Sequence, residues 1–184
     1  GVPGAIVNNV WRNGERLWDR NTFVQVQWQD EFFGRWSVRA LLKYANDYTH
    51  YINYDERLLP ADNQYLQQET YFSVAQKVML FRWWDMSLAY DFQYNHLRRE
   101  DLILESREEF FGRYSHWLSL ASAWNVQDYL RLQASVLMTQ VDKEAPCVTP
   151  GAFLSLRPWK RIDLSLNAFY KQSYRYPTFN DLYY

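Results

Sequence analysis

Residues 84–95 read WDMSLAYDFQYN. Trp84, Met86, Leu88, Tyr90, Phe92 and Tyr94 alternate with Asp85, Ser87, Ala89, Asp91, Gln93 and Asn95. Side chains of a β-strand point alternately to opposite faces, so this stretch carries one apolar face and one mostly polar face. A helix would scatter the same aromatics around its circumference. The stretch is therefore expected to be a strand.

The same alternation recurs in seven further segments. Val24, Val26 and Trp28 alternate with Gln25, Gln27 and Gln29. Trp36, Val38, Ala40, Leu42 and Tyr44 alternate with Ser37, Arg39, Leu41 and Lys43. Phe72, Val74, Val78 and Leu80 form one face opposite Ser73, Ala75 and Lys77, with Gln76 an exception on the apolar side. Leu118, Leu120 and Trp124 face away from Ser115, Ser119 and Ala121, although Trp117 and Ser122 blur the pattern. Leu130, Leu132, Ala134, Val136 and Met138 oppose Arg131, Gln133 and Ser135. Ala152, Leu154 and Leu156 oppose Ser155 and Arg157. Ile162, Leu164, Leu166, Ala168 and Tyr170 oppose Asp163, Ser165, Asn167 and Lys171.

The connections alternate too. Short turns are expected near Asp30–Arg35, Phe81–Trp83, Asn125–Asp128 and Pro158–Arg161, and longer polar links near Asp47–Gln67, Leu97–Arg113 and Val141–Thr149. Outer-membrane barrels have this asymmetry, with short periplasmic turns and longer extracellular loops. Trp28, Trp36, Trp83, Trp84, Trp124, Tyr129 and Trp159 flank the short turns, which would draw one band of rings along a rim. Tyr44, Tyr48, Tyr90, Tyr94 and Tyr170 lie toward the other strand ends and would draw a second band. The segments run to roughly ten residues or more, enough for a tilted strand to cross hydrocarbon, whereas soluble strands average about five or six. The chain is thus expected to be all-β, an antiparallel transmembrane β-barrel meander of about eight strands. A soluble eight-stranded barrel would have to hold these large rings inside, and a β-sandwich is a further alternative.

Composition supports the membrane reading. Of 184 residues 19% are aromatic, with 9 Trp and 15 Tyr, and these two side chains suit a boundary between wet and dry. A formal net charge of −1 gives no bulk attraction to nucleic acid or anionic lipid, and nucleic acid is not expected as a partner. The single Cys147 excludes a disulfide framework within the chain. No basic segment followed by an apolar stretch lies near Gly1, so no signal peptide is visible in the sequence.

The C-terminal stretch Ser173–Tyr184 reads SYRYPTFNDLYY. With Tyr174, Arg175, Tyr176, Pro177, Leu182 and Tyr183 it resembles the conserved box of TonB-dependent outer-membrane receptors, an aromatic-Arg-x-Pro stretch followed by a leucine and tyrosines. Val10–Arg16, with Trp11 and Gly14, is similar to a stretch of receptors of the Bacteroidetes type. The resemblance implies that residues 1–184 are part of an outer-membrane barrel of 22 strands whose plug domain is absent from this chain. It further implies TonB-dependent uptake of a scarce nutrient, a siderophore-iron complex, haem, vitamin B12 or an oligosaccharide. The partners implied are outer-membrane lipid, the remainder of the barrel with its plug, TonB acting through that plug, and the small-molecule nutrient. A small closed eight-stranded outer-membrane barrel with a structural or adhesive role is the alternative. In purely structural terms, Pro177 would mark a strand leaving the ladder for a loop.

No enzyme signature is present: no phosphate-cradling Gly-Lys-Ser/Thr loop, no His-Glu-x-x-His, no Gly-x-Ser-x-Gly and no paired-cysteine metal motif. No catalytic activity, cofactor or resident metal is expected. Tyr48, Tyr51, Tyr54 and Tyr65 cluster around the first long link, where rings at a barrel mouth stack on a ligand or anchor at an interface. With Asp91 and Asn95, the tyrosines Tyr48, Tyr51 and Tyr54 form the candidate ligand set. Asp85, Asp91, Asp163, Arg39, Lys43, Lys77, Arg131, Arg157 and Lys171 are expected to share the polar face. His50, His96 and His116, and the acidic run of Glu100, Asp101, Glu105, Glu108 and Glu109, read as solvated or interfacial groups.

Overall fold

The computed structural model describes residues 6–7, 10–11, 15–53, 61–103, 109–127, 129–158, 164–174 and 176. Two short strands, β1 (Ile6–Val7) and β2 (Val10–Trp11), pair with each other, and among the described residues with no other strand. The other eight form one sheet: β3 (Glu15–Phe32), β4 (Trp36–Asn53), β5 (Ala61–Phe81), β6 (Trp84–Asp101), β7 (Glu109–Val126), β8 (Leu130–Val141), β9 (Cys147–Leu156) and β10 (Leu166–Lys171). Each strand pairs antiparallel with its sequence neighbours, in the order β10-β9-β8-β7-β6-β5-β4-β3. The expected all-β antiparallel meander of eight strands is therefore observed. The sheet is open: β3 and β10 each pair on one side only among the described residues.

Five strands run well beyond their alternating segments. β3, β4, β6 and β7 have 18 residues each and β5 has 21. Most of what reads as long polar links is strand: the β4–β5 ladder continues to Asn53↔Ala61, and the β6–β7 ladder to Arg99↔Glu109. The reason is that backbone pairing needs no apolar face, so a strand polar on both sides leaves no alternation to read. The short turns expected near Asp30–Arg35, Phe81–Trp83 and Asn125–Asp128 are as placed, and that expected near Pro158–Arg161 lies largely outside the described residues. Between β3 and β4, Phe33 and Gly34 have φ of 55° and 60°, and Arg35 N–H donates to Phe32 C=O at 3.2 Å. Two successive positive φ values match the twist of the flanking strands, and Gly34 takes its share without strain.

The register is staggered. One hydrogen-bonded row runs Phe32–Trp36–Val78–Met86–Ser122–Ala134–Ala152–Tyr170. On this row Trp36 is the first residue after its turn, whereas Ser122 has four strand residues (Ala123–Val126) still to run. At the other end, Asn63↔Asp101 closes the β5–β6 ladder, while the β7–β8 ladder closes lower, at Ser115↔Val141. Both ends of the ladder step the same way across the sheet. The strands therefore lean across their hydrogen-bonded rows, as they do in sheets with shear.

The eighth expected segment began at Ile162; the described strand is β10, and 159–163 lie outside the described residues. The described ladder stops at Lys171↔Gly151, and Pro177, expected to mark a strand exit, lies outside the described residues. Gln172 N–H still reaches Pro150 C=O at 3.2 Å, and Tyr176 Oη donates to Ala145 C=O at 3.0 Å.

Candidate functional site

Register assigns every side chain of the main sheet to a face. Even-numbered residues of β3 to β10 share one face and odd-numbered residues the other, since partners such as Val24↔Tyr44, Phe72↔Phe92 and Phe92↔His116 keep parity; past the register shift at Met79–Phe81, Phe81 joins the even face opposite Trp84. The even face holds the expected apolar set, Trp84, Met86, Leu88, Tyr90 and Phe92 included. The odd face holds Asp85, Ser87, Asp91 and Gln93. Burial runs opposite to that of a water-soluble sheet. All eight buried residues described lie on the odd face: Ala45, Leu97, Val141, Asn53, Asn95, Arg113, Ser115 and Thr149. The even face exposes Val24 (64%), Leu42 (52%), Leu120 (47%) and Leu166 (52%).

On the even face an apolar tract occupies Trp36–Tyr44, Phe72–Phe81, Trp84–Tyr94, Leu130–Met138 and Val148–Leu156 on five strands. Rings bound it. Near the short turns Phe32 lies 5.2 Å from Trp36 and 6.4 Å from Trp28, and Phe81, Trp83 and Trp84 stack at 5.5 to 6.1 Å. Toward the other end, Tyr44, Tyr94 and Tyr114 share one row, and Tyr94 and Tyr114 stack at 4.6 Å. A Cβ on Gly112 would meet Tyr94 Oη at 3.3 Å, so the missing side chain leaves room for that ring. Two polar residues on this face bond within it. Ser122 Oγ accepts from Trp84 Nε1 at 2.8 Å, and His116 Nδ1 lies 2.9 Å from Tyr90 Oη.

The odd face carries a connected polar cluster at its centre. Lys43 Nζ sits 2.9 Å from Glu69 Oε1, Gln93 Nε2 donates to Glu69 Oε2 at 2.8 Å, and Tyr71 Oη donates to Asp91 Oδ1 at 2.7 Å. Trp117, the irregular residue of β7, pairs with Asp91 and Thr139 and so places an indole beside this cluster. Lower on the same face Lys77 faces Asp85 at 3.4 Å. Three clefts open here: one of about 310 Å3 beside Gln29, Arg39 and Ala89, one of about 120 Å3 among Lys77, Asp85 and Arg131, and one of about 430 Å3 between Gln133, Thr139, Thr149, Phe153 and Lys171. Donors, acceptors and an aromatic plane side by side make a surface suited to holding a polar molecule. If Tyr71 and Asp91 act as a pair, Tyr71→Phe and Asp91→Asn should show a coupling of about 1–2 kcal/mol in a double-mutant unfolding cycle. Additive single effects would show that they do not.

The expected ligand set divides. Asp91 and Asn95 share the odd face, Asp91 in the cluster and Asn95 buried beside Glu69 and Arg113. Tyr51 is on the same face but six rows above Asn95, at the Asn63↔Asp101 row. Its phenol is held above the ordinary tyrosine value, first by burial and then by Glu15 nearby. Tyr48 is on the even face, under the Arg20 guanidinium at 5.9 Å, and does not join the others. Tyr54, Arg175, Pro177, Leu182 and Tyr183 lie outside the described residues; Tyr174 and Tyr176 meet edge-to-face at 4.9 Å. All three histidines are on the even face, with His50 Nε2 at 2.7 Å from Asp62 Oδ1. Glu100 and Asp101 point to opposite faces, and among the described residues no three His, Cys, Asp or Glu side chains gather at a metal-binding spacing. Sequence reading missed Glu69, Tyr71 and Trp117; Tyr71 and Trp117 were visible as aromatics on the polar parity. No protein-family model matches the chain, and no curated protein matches it.

Proposed function

We propose that this sheet is an arc of a transmembrane β-barrel and that the protein is an outer-membrane receptor for TonB-dependent uptake of a scarce nutrient. The observation that carries the membrane part is the exposed apolar tract. It spans roughly nine to eleven residues on each of five strands, the length that crosses hydrocarbon when tilted. From Trp84 to Tyr94 the strand rises about 33 Å at about 3.3 Å per residue. At a tilt of about 40° that is about 25 Å along the membrane normal, the height of the apolar band in outer-membrane barrels. The leaning register and the rings at both borders support the same reading. The polar odd face then lines the lumen, where its cluster and clefts would meet a passing solute.

The receptor part rests on the resemblance of Tyr174–Tyr184 and Val10–Arg16, and the 22-strand size comes with it. A closed eight-stranded barrel is the second reading; it needs β3 to pair with β10, and the open order of the sheet favours the larger barrel.

Two experiments separate the parts. In lipid vesicles a membrane-soluble photoprobe is expected to label Leu88, Phe92 and Leu120 and to spare Ser87, Asp91 and Ser119; the reverse pattern would indicate a soluble barrel with its apolar face inside. In a strain lacking the gene, uptake of one among ferric siderophores, haem, cobalamin and oligosaccharides is expected to fail, as it does when TonB is lost. Unchanged uptake across that panel overturns the receptor while leaving the labelling result to judge the barrel.

A further inference from the structure

Above the Tyr44–Tyr94–Tyr114 row the even face changes character within one step. The next row is Thr22–Asn46–Gln68–His96–Gly112, and the one after it is Arg20–Tyr48–Leu66–Arg98–Phe110. Neither contains an acidic residue. Among the described residues the nearby carboxylates are engaged: Asp62 with His50 at 2.7 Å, Glu100 with Arg98 at 3.4 Å, and Asp142, beside the bordering Tyr114, with the Tyr114 N–H at 2.7 Å. The two arginines stand in one row three strands apart, about 14 Å at about 4.8 Å per strand. Arg20 is exposed, and the Arg98 side chain keeps 40% of its exposure. Amide, imidazole and guanidinium donors thus form a collar directly against the apolar tract.

We infer that this collar is a binding site for membrane lipids with anionic phosphate headgroups, in the leaflet on the side of the Asn53–Ala61 and Asp101–Glu109 connections. The inference rests on the membrane reading, which sets the collar at headgroup height. The tract below holds the acyl chains, and the acid-free rows match the phosphate charge. Tyr48, with Arg20 over its ring, and Leu66 fill the space between the two guanidinium groups and favour an amphiphile over a free ion. Guanidinium groups bind phosphate with short charge-assisted hydrogen bonds.

The test is native mass spectrometry of the full chain in neutral maltoside micelles carrying either phosphatidic acid or diacylglycerol. Phosphatidic acid is expected to be retained preferentially, and less so as salt rises. Arg20→Gln with Arg98→Gln should weaken its binding about thirtyfold, the factor expected of two basic side chains at a charged membrane surface. Glu100→Gln, which removes the competing carboxylate, should strengthen it. Arg35→Gln, at the opposite rim, should leave it unchanged. Inorganic phosphate at matched ionic strength should not displace the lipid. Equal loss in Arg35→Gln, displacement by phosphate, or no preference over diacylglycerol overturns the site while diacylglycerol uptake keeps the membrane reading. A chain that takes up neither lipid overturns both.

Discussion

Leu88→Arg is expected to destabilise the lipid-inserted protein by about 2–4 kcal/mol, the cost of a guanidinium near the bilayer midplane on the outside of a barrel. Leu88 sits near the middle of the Trp84–Tyr94 tract and its side is exposed, so nothing in the protein pairs with an arginine there. Ser87→Arg, one residue earlier, points to the odd face and meets Lys77 and Ala121 across the ladder. It is expected to cost less than about 1 kcal/mol, since a lumen charge stays hydrated. Urea unfolding in liposomes reads both. A soluble barrel would give the same order, with the arginine at 88 buried in a core, so this pair tests the two faces and the photoprobe labelling tests whether lipid covers the apolar one. Equal effects would mean that neither face meets hydrocarbon.

The contrast between neighbouring positions shows why the strands and faces were legible in the sequence. A strand that meets different surroundings on its two sides must alternate, and Trp84–Asn95 does so without a break. Trp117 and Ser122 disturbed β7 for local reasons: the serine accepts from Trp84 on the apolar face, and the indole stands beside Asp91 on the polar one. The upper halves of the strands were not legible. Asp47–Asn53 and Ala61–Gln67 are polar on both faces, and what joins them is a backbone ladder that leaves no trace in side-chain pattern. The candidate site failed in part for the same reason. Tyr48 and Tyr51 are close in sequence, but an odd spacing along a strand turns them to opposite faces once the segment is known to be strand rather than loop. The Glu69–Lys43–Gln93 cluster joins three strands and depends on a register that no single segment specifies.

The open edges are expected to have the largest consequence of all. β3 is an edge strand of 18 residues, and within the apolar tract about half of its backbone N–H and C=O groups face away from β4. Each such group left unpaired in hydrocarbon costs several kcal/mol, so the edge as a whole costs tens, more than the roughly 5–15 kcal/mol that holds a domain folded. Phe23 and Phe169 point the same way. They lie on the polar face of the two edge strands and remain 67% and 82% exposed, where a further strand would cover them. An ordered monomer with both edges bare is therefore not expected in a membrane, and its apolar face should keep it out of plain buffer. Light scattering of the 184-residue chain, with and without detergent, is expected to show no soluble monomer and, in detergent, a species with its edges paired. Hydrogen exchange then identifies the partner. Alternate amides of β3 exchange quickly if the edge is open, and all are protected if it is covered. Full protection in a monomer means closure of β3 on β10, full protection in a dimer means pairing between copies, and a sharply melting detergent-free monomer with alternate fast amides would overturn the membrane assignment.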